Sequence, residues 1–417
     1  MRIVIVDAFS TGALLAAELA ARGMLCIHVR SMPTLEPYLA RTFLPDAFMV
    51  DLGYGSTEQL TRQLRQLGVS AVVAGAESGV LLAERLAFDL GVPGNEPSPA
   101  HRDKDRMAAV WARAGVLTPR GVTVTSHTRA PDAVSTLTGE GFVVKPVDSA
   151  GSDNVHFCST SSQVRSAVLA VLSAANFLGA PNRAALIQER ATGPEVYVNC
   201  VSLNGSHRIV EAWRYTKTQR DDCPVYDFEE PFDLAGQDGN ELSTFVRRAL
   251  DALGIRYGAT HTEVILTARG PVAIECGARL MGGIRPDVLD KVFDDSTMHC
   301  LADILCGGDL DADLPAVTDA PRQHVRYVSL ISEHAGVAGG SWRSRIEHLP
   351  SCVALSSSLE RGSPIPRTTK LSTSPGFVYL MGSEQTVSAD YAQLREWERS
   401  GLYVESSDRA PAVADAR

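Results

Sequence analysis

The stretch that decides the fold reads His261-Thr-Glu-Val-Ile-Leu-Thr-Ala-Arg-Gly-Pro-Val-Ala-Ile-Glu-Cys-Gly-Ala-Arg279. Two apolar segments flank a short Thr-Ala-Arg-Gly connection, which is typical of two antiparallel strands joined by a tight turn. Pairing Leu266 with Val272 places Glu263 directly opposite Glu275. Like charges in opposite positions destabilise a sheet, and a magnesium ion removes that repulsion because it binds carboxylate oxygens. The hairpin therefore predicts a metal site at these two glutamates; a shifted register with one solvated glutamate is the alternative.

A basic residue and a small-residue loop accompany the two glutamates. Arg279 lies four residues after Glu275 in a glycine-flanked segment, where a guanidinium could hold a carboxylate or phosphoryl group at two points. Upstream, an apolar Val-Val strand leads to Lys145 and then to the loop Ser149-Ala150-Gly151-Ser152. Such a loop can turn successive backbone N–H groups toward a phosphate. The alternative is a polar hairpin with a surface lysine.

A third motif, Gln188-Glu189-Arg190-Ala-Thr-Gly-Pro-Glu195, joins the end of one predicted strand to the start of another. Backbone groups at a strand end supply both the acceptor and the donor that an adenine ring requires. The Glu195 carboxylate can accept hydrogen bonds from two ribose hydroxyls, although a solvated glutamate at a strand start is the alternative.

The first ninety residues alternate apolar strands with helices, which indicates a parallel sheet covered on both faces. The strands are predicted at residues 3–6, 25–29, 47–50 and 71–74. The first loop, Asp7-Ala-Phe-Ser-Thr-Gly12, has one glycine where a dinucleotide site needs a series, so an NAD or FAD site is not expected. An ordinary turn is favoured there, and contact with a small substrate stays open for this loop and for Glu77 and Ser78.

Composition excludes several classes of protein. The 417 residues carry a formal net charge of -10, which lacks the basic field of a nucleic-acid binder. Eight cysteines form no CxxC pair, which favours reduced thiols over a disulfide framework or zinc site. The first residues given, Met-Arg-Ile-Val-Ile-Val-Asp, lack the long apolar segment of a signal peptide, and no apolar run reaches membrane-spanning length. We therefore expect a cytoplasmic protein without a membrane partner.

Taken in order, these motifs resemble the ATP-grasp superfamily and, within it, the carboxylate–amine ligases that include L-amino acid (dipeptide) ligases. The resemblance covers roughly residues 1–306 and also includes Asp103-Lys104-Asp-Arg-Met. It implies an enzyme that uses ATP and two Mg²⁺ ions, with Mn²⁺ as a substitute, to activate a carboxylate as an acyl phosphate and join it to an amine. The acid is expected to be an amino acid, and a homodimer is the default assembly.

The resemblance also assigns roles. It implies that ATP is contacted by ten residues: Lys104, Lys145, Ser149, Ala150, Gly151, Ser152, Gln188, Glu189, Arg190 and Glu195. Metal binding falls on Glu263 and Glu275, and catalysis falls on Arg279 and on Lys217, which could equally be a strand-end surface lysine. Substrate contacts fall on His261, Arg279, Gly282, Gly283 and Arg285. Many family members have an asparagine metal ligand where this chain has Gly277, and amino acid ligases often lack it.

The expected fold class is α/β and α+β, with three parts and a tail. Residues 1–98 are predicted to form a Rossmann-like domain and residues 99–306 a two-lobed ATP-grasp domain whose lid subdomain spans about 120–190. Residues 307–406 are predicted to form a C-terminal α+β subdomain, and 407–417 a disordered tail. Two other functions remain open: an ATP-grasp enzyme that activates formate or bicarbonate, and a non-catalytic ATP-binding regulator.

Overall fold

The computed structural model describes residues 1–34, 40–149, 151, 153–176, 178–220, 223–293, 295–310 and 323–405. Two predicted ATP contacts, Ala150 and Ser152, lie outside these residues, as does the predicted tail at 407–417. The chain forms two compact units, one of Met1–Ala212 with Phe232–Ala320 and one of Trp213–Pro231 with Pro321–Arg417. The hairpin at 213–231 thus groups with the C-terminal residues, while the predicted domain boundaries at 98 and 306 stay predictions.

The first unit begins with the predicted parallel sheet, in the order β3-β2-β1-β4. Its strands are β1 (Arg2–Val6), β2 (Leu25–Arg30), β3 (Val50–Tyr54) and β4 (Ala71–Ala74). Helices α1 (Thr11–Ala21), α2 (Thr57–Gln66) and α3 (Val80–Leu90) follow β1, β3 and β4. The prediction of a strand at 47–50 was wrong, because Pro45 starts a 3₁₀ turn and the strand begins only at Val50.

A second sheet in this unit is antiparallel, in the order β5-β8-β6-β7. Its strands are β5 (Gly121–Val124), β6 (Phe142–Pro146), β7 (His156–Cys158) and β8 (Ala185–Glu189). Helices α5 (Ala130–Ser135) and α6 (Ser161–Ser173) share a core with it that includes Val144, Val168 and Ile187. Helix α6 ends at Ser173, because Ala174 adopts an extended conformation.

The remaining strands of the first unit carry most of the predicted site. Strand β12 (Gly258–Thr267) lies between β13 (Gly270–Gly277) and β9 (Glu195–Leu203), and β10 (Ser206–Arg220) follows β9. Helices α4 (Lys104–Arg113) and α7 (Gln237–Leu253) pack on these strands around the buried Trp111, and α8 (Pro286–Val292) and α9 (Thr297–Leu305) follow β13. Burial of this apolar face fixes which side chains remain on the opposite, polar face of the strands.

The second unit is a small α+β structure with its own core. Its strands are the end of β10, β11 (Cys223–Pro231), β14 (His324–Ser329), β16 (Cys352–Ser356) and β18 (Phe377–Gly382), with a short pair of β15 (Gly336–Val337) and β17 (Pro364–Ile365). Helices α10 (Trp342–Glu347) and α11 (Glu384–Arg399) pack on the core. Within the described ranges, no helix combines the length and apolarity that crossing a membrane requires.

Candidate active site

The β12–β13 hairpin brings the two predicted metal ligands together. Glu263 pairs directly with Glu275, and each side chain is about one-fifth exposed (21% and 23%). The pairing nearer the turn differs from the prediction, since Leu266 pairs with Pro271 and not with Val272. A β-bulge beyond Glu263 adds one residue on β13 and restores the expected pairing of the glutamates. Bulges re-aim side chains, and this one sets the two carboxylates side by side.

Lys104 lies against the carboxylate pair from the start of helix α4. Asp103 caps this helix by accepting hydrogen bonds from the N–H groups of Asp105 and Arg106, both at 3.0 Å. The cap places Lys104 so that its Nζ is 2.7 Å from Glu275 Oε1 and donates to the Ser149 carbonyl at 2.5 Å. One ammonium group therefore connects the predicted metal site to the predicted phosphate loop.

Lys145 approaches the same carboxylates from β6. Burial, assisted by the nearby Lys104, lowers the pKa of Lys145 to about 8 against the opposing effects of Glu275, Glu263 and Glu195. Lys145 therefore lies close enough to both predicted metal ligands to interact with them electrostatically, and its contact with ATP stays a prediction. The following loop begins with the buried Ser149, whose hydroxyl donates to Asp153 at 3.0 Å.

Arg279 is held by a buried carboxylate on the other side of the pair. Its Nε donates to Glu77 Oε2 at 2.6 Å and its Nη1 donates to the Leu280 carbonyl at 3.1 Å. Arg102 donates to the second oxygen of Glu77 and to Asp148 at the start of the phosphate loop. Burial alone would raise the pKa of Glu77, but Arg279 and Arg102 outweigh it and lower the pKa to about 2.

Sequence reasoning missed Arg102, whose one available signal was its position two residues before Lys104.

The same cluster explains why residue 277 is a glycine. A Cβ at this position would lie 3.1 Å from both Arg279 Cζ and Glu77 Oε2. A side chain at this position would therefore press against the arginine–glutamate pair.

The predicted substrate residues after Arg279 lie beside the first loop of the parallel sheet. Thr11 Oγ1 donates to the Met281 carbonyl at 2.7 Å, and a Cβ at Gly282 would meet only Ser10 Oγ, at 4.0 Å. Gly283 adopts a positive φ of 77°. Arg285 donates to both oxygens of Asp287 at 2.8 Å, so this guanidinium is already engaged with a neighbour on α8.

In the predicted adenine segment, two backbone N–H groups form hydrogen bonds within the protein. The N–H of Glu189 donates to the Arg120 carbonyl and the N–H of Arg190 donates to the Gly141 carbonyl, both at 2.8 Å. Because β8 lies inside its sheet, these two donors are consumed by the fold and are not available to an adenine ring. The side chains are also engaged, with Glu189 accepting from Thr138 and Arg190 lying over a phenylalanine ring.

Lys217 is the one predicted site residue in the second compact unit. It lies on β10, and its Nζ is 5.4 Å from the ring centroid of Tyr215 and 4.7 Å from that of Tyr226. Cation–π interactions with the two rings stabilise the ammonium group in this position. Its predicted catalytic role stays a prediction.

Comparison with known proteins agrees with this arrangement. The sequence profile of the ATP-grasp domain family matches residues 138–287. A curated relative, dapdiamide A synthase from Enterobacter agglomerans, is 30% identical over 424 residues, and the match covers 95% of this chain and 95% of the relative. The chain belongs to the ATP-grasp family of carboxylate–amine ligases. This ligase is thus an ATP-dependent, ADP-forming enzyme that makes carbon–nitrogen bonds, as the motifs predicted.

Two solved structures share the fold of the ligase. The L-amino acid ligase from Bacillus licheniformis has a TM-score of 0.73 and 16% identity, with 95% of this chain and 97% of that chain covered. The biotin carboxylase domain of 2-oxoglutarate carboxylase from Hydrogenobacter thermophilus, solved with MgADP and bicarbonate, has a TM-score of 0.65 and 15% identity, with coverages of 98% and 91%. At such identities the likeness concerns the fold, and it confirms the predicted mixed α/β and α+β class.

ATP-grasp enzymes use ATP with Mg²⁺, and the donor set of the ligase fits that ion. Two carboxylates, Glu263 and Glu275, stand on adjacent strands with basic side chains beside them. Magnesium is commonly held by one or two carboxylates together with substrate phosphates, and dedicated cages of protein ligands are uncommon for it. Accordingly, the part of the chain that the structure describes contains no cluster of three or more acidic, histidine or cysteine ligands.

Proposed function

We propose that the ligase activates the carboxylate of an amino acid as an acyl phosphate and transfers the acyl group to an amine, forming an amide or peptide bond. The observation that carries this proposal is the pairing of Glu263 with Glu275 beneath Lys104 and Lys145, within one unit that also holds Arg279. The names of the relatives, dapdiamide A synthase and L-amino acid ligase, support an amino-acid-like acid.

The phosphate end of the site is formed by basic side chains and a loop. Lys104 and Lys145 would contact phosphate oxygens, and the loop from Ser149 through Gly151 would offer N–H groups to them. Glu263 and Glu275 would hold two Mg²⁺ ions, for which Mn²⁺ could substitute, and the ions would neutralise charge on the triphosphate. Without this neutralisation, a carboxylate and a triphosphate would repel each other.

The proposed position of the adenosine follows from the backbone hydrogen bonds at the end of β8. Because the N–H groups of Glu189 and Arg190 are consumed, we place the backbone donor to adenine at the next residue, Ala191, with the Gln188–Arg190 segment forming the wall of the pocket. Glu195 begins β9 and lies close enough to Lys145 to influence its pKa, so its carboxylate can serve the ribose beside the phosphates.

The acid end centres on Arg279. Glu77 and the Leu280 carbonyl engage its Nε and Nη1, and its Nη2 has no hydrogen-bond partner among the residues that the structure describes. We assign this group to the substrate carboxylate and to the acyl phosphate formed from it. Gly282 and Gly283 would leave room for the substrate side chain. Arg285 and His261 remain proposed contacts with the substrate, and Lys217 remains a proposed catalytic residue.

We also propose that the ligase acts in the cytoplasm and as a homodimer. The cysteines that the structure describes are free thiols, a state typical of a reducing compartment. Closed dimers are the commonest assembly of soluble oligomers, and the solved biotin carboxylase domain is described as a dimer.

The test is phosphate release from ATP and Mg²⁺ with the twenty amino acids offered singly and in pairs. Release that needs two amino acids, with a dipeptide in the products, is the expected result. Release that depends on bicarbonate or formate would instead assign the enzyme to the other activation chemistry. ATP binding without ADP formation under every mixture would favour a regulator.

Glu275→Gln tests the site itself. The amide keeps the size of the side chain but removes its charge, so we expect nucleotide to bind while ADP formation falls to background. Turnover near that of the unchanged enzyme would contradict the metal assignment. Because Lys104 loses its charged partner in this variant, thermal unfolding should be recorded alongside to show that the fold is retained.

A further inference from the structure

Residues at the start of helix α4 hold the beginning of the phosphate loop at three successive positions. The Lys104 N–H donates to the Val147 carbonyl at 2.9 Å, and the Lys104 ammonium donates to the Ser149 carbonyl at 2.5 Å. Between these two contacts, the guanidinium of Arg102 donates to the carboxylate of Asp148. The loop that follows β6 is therefore tied to the start of α4 through residues 147–149.

Arg102 also contacts the carboxylate that holds Arg279. Its other terminal nitrogen donates to Glu77 Oε1, while Arg279 Nε donates to Glu77 Oε2 at 2.6 Å. The side chains of Arg102 and Glu77 are 6% and 12% exposed, so salt and water screen their contact little. Because the donors of a guanidinium form a rigid, planar fork, Arg102 fixes the direction of both of its partners as well as their distance. One series of hydrogen bonds thus runs from Arg279 through Glu77 and Arg102 to Asp148.

The two ends of this series belong to different sheets. Arg279 follows β13, whereas the phosphate loop follows β6, and among the strands that the structure describes none pairs across the two sheets. The relative position of the two ends is therefore left to loops and side chains. Lys104 forms one side-chain link, from Ser149 to Glu275 on β13, and Arg102 forms a second link, which ends at Arg279.

The charge of Asp148 distinguishes a positioning role from simple electrostatics. Its side chain is 53% exposed at the start of the loop, where a carboxylate repels a bound triphosphate. If only charge mattered, the nucleotide would bind better without this carboxylate. If the carboxylate instead fixes the loop through Arg102, the nucleotide would bind worse without it. The two explanations therefore predict opposite effects of removing the same charge.

We propose that Arg102 is a positioning residue which, through Glu77 and Asp148, sets Arg279 relative to the phosphate loop, so that the substrate carboxylate lies in line with the γ-phosphate of ATP. A carboxylate oxygen forms its bond to the γ-phosphorus as the bond from that phosphorus to ADP breaks, and this requires reacting atoms about 3–3.5 Å apart. A misplacement of about 1 Å costs about 10²-fold in rate. The inference rests on the proposed function for the acid at Arg279, whereas the link to the loop requires only that nucleotide binds.

The first measurement is calorimetric binding of a non-hydrolysable ATP analogue with Mg²⁺ to the full chain, which needs no acid. Asp148→Asn keeps the size of the side chain and removes its charge. We expect this variant to bind the analogue about 10-fold more weakly, although loss of a repelling charge alone would tighten binding. Asp132→Asn is the matched control, since Asp132 is an exposed carboxylate paired with Arg129 at 3.6 Å, and its affinity should stay within about 2-fold of the wild type.

The double variant Arg102→Gln with Asp148→Asn identifies the partner of Asp148. If the two residues form one link, either single change breaks it, so the double variant should bind the analogue no more weakly than Arg102→Gln. Additive losses would overturn the link. Arg106→Gln is the control for loss of an arginine from this segment, because Arg106 is 64% exposed. Thermal unfolding is recorded for every variant, and Arg102→Lys, which keeps the charge but lacks the fork, takes the place of Arg102→Gln if that variant does not fold.

Turnover tests the alignment of the two substrates. With the acid and amine found by the phosphate-release screen, Asp148→Asn should lower kcat at saturating ATP by about 10-fold or more, and KM for the acid should change by less than about 3-fold. A purely structural role would lower the melting temperature without this difference between kcat and KM.

Binding of the analogue to Asp148→Asn as tightly as to the wild type, or more tightly, would overturn the inference, and so would an unchanged kcat. Failure of the wild type to bind the analogue would refute the nucleotide site and the inference together. The expected binding results without turnover from any acid would refute the proposed substrates and leave the link between Arg102 and the phosphate loop standing.

Discussion

Gly277→Ala is the sharpest test of the arrangement around Arg279. Glycine stands here at an ordinary backbone conformation, so an alanine introduces no backbone strain and only adds a methyl group. That methyl carbon would lie 3.1 Å from Arg279 Cζ, 3.1 Å from Glu77 Oε2 and 3.2 Å from Arg279 Nη2. Ordinary contacts with a Cβ fall between 3.4 and 4 Å, so the guanidinium and the carboxylate must both move by a few tenths of an ångström.

The expected loss of stability in Gly277→Ala follows from how little the Glu77–Arg279 ion pair can move. Glu77 is held on its other oxygen by Arg102, and Arg279 is held by the Leu280 carbonyl, so neither partner can move without losing a hydrogen bond. Overpacking of this kind costs about 1–3 kcal/mol. At about 2 °C per kcal/mol for a large domain, we expect the thermal transition to fall by a few degrees. Displacement of Arg279 Nη2 should also raise KM for the acid by about 10-fold, with nucleotide affinity little changed.

The measurements are thermal unfolding, calorimetric binding of a non-hydrolysable ATP analogue with Mg²⁺, and initial rates against acid concentration. Gly282→Ala is the control for stability, because its Cβ would meet no atom closer than 4.0 Å. It should unfold within about 1 °C of the wild type. If Gly277→Ala proved as stable as this control and had an unchanged KM for the acid, the argument that glycine makes room for the ion pair would be wrong.

Three further changes have defined outcomes. His101 donates to Glu84 and to a carbonyl; burial lowers its pKa, but these bonds outweigh burial and raise it. The charged pair therefore stabilises the fold fully below about pH 6.5, and this stabilisation is lost as pH rises through the raised pKa of the folded state. The difference in melting temperature between the unchanged enzyme and His101→Gln should therefore narrow as the pH rises above about 6.5. Arg102→Lys cannot bridge both of its carboxylates and should lose about 1.5–3 kcal/mol of stability, with weaker nucleotide binding if Asp148 positions the phosphate loop. Gly282→Leu should fold but lower kcat/KM for bulky acids by about 10-fold or more relative to small ones, and equal loss for all acids would contradict its place in the substrate pocket.

The pairing of the two predicted metal ligands could be predicted because they are close in sequence. Glu263 and Glu275 belong to one hairpin, whose short turn and apolar alternation limit the register to a few choices. The pairing of the glutamates was right although Leu266 was paired wrongly, since an unforeseen bulge shifted the register back by one residue. A bulge depends on packing of the sheet against its neighbours, which a local pattern does not encode.

The contacts that could not be predicted join residues far apart in the chain. Glu77 and Arg279 are separated by 202 positions, and Asn199 and His261 by 62. Their meeting depends on how the parallel sheet, the hairpin and β9 pack together, and each residue taken alone resembles an ordinary polar side chain. Gly277 was visible only as a departure from the family, and its reason lies in the ion pair that the fold brings beside it.

The charges of the site explain why a chain with a net charge of -10 can bind a triphosphate. Four basic side chains and four carboxylates lie around the phosphate-facing part of the site: Lys104, Lys145, Arg102 and Arg279 against Glu77, Asp148, Glu263 and Glu275. These formal charges cancel, so the protein alone offers no net attraction to an anion. Divalent ions bound between the carboxylates and the phosphates would supply the positive charge that phosphoryl transfer requires there. Nucleotide binding should therefore depend on the metal far more steeply than in a site built from lysines alone, and binding of ATP with equal affinity in EDTA would refute this account.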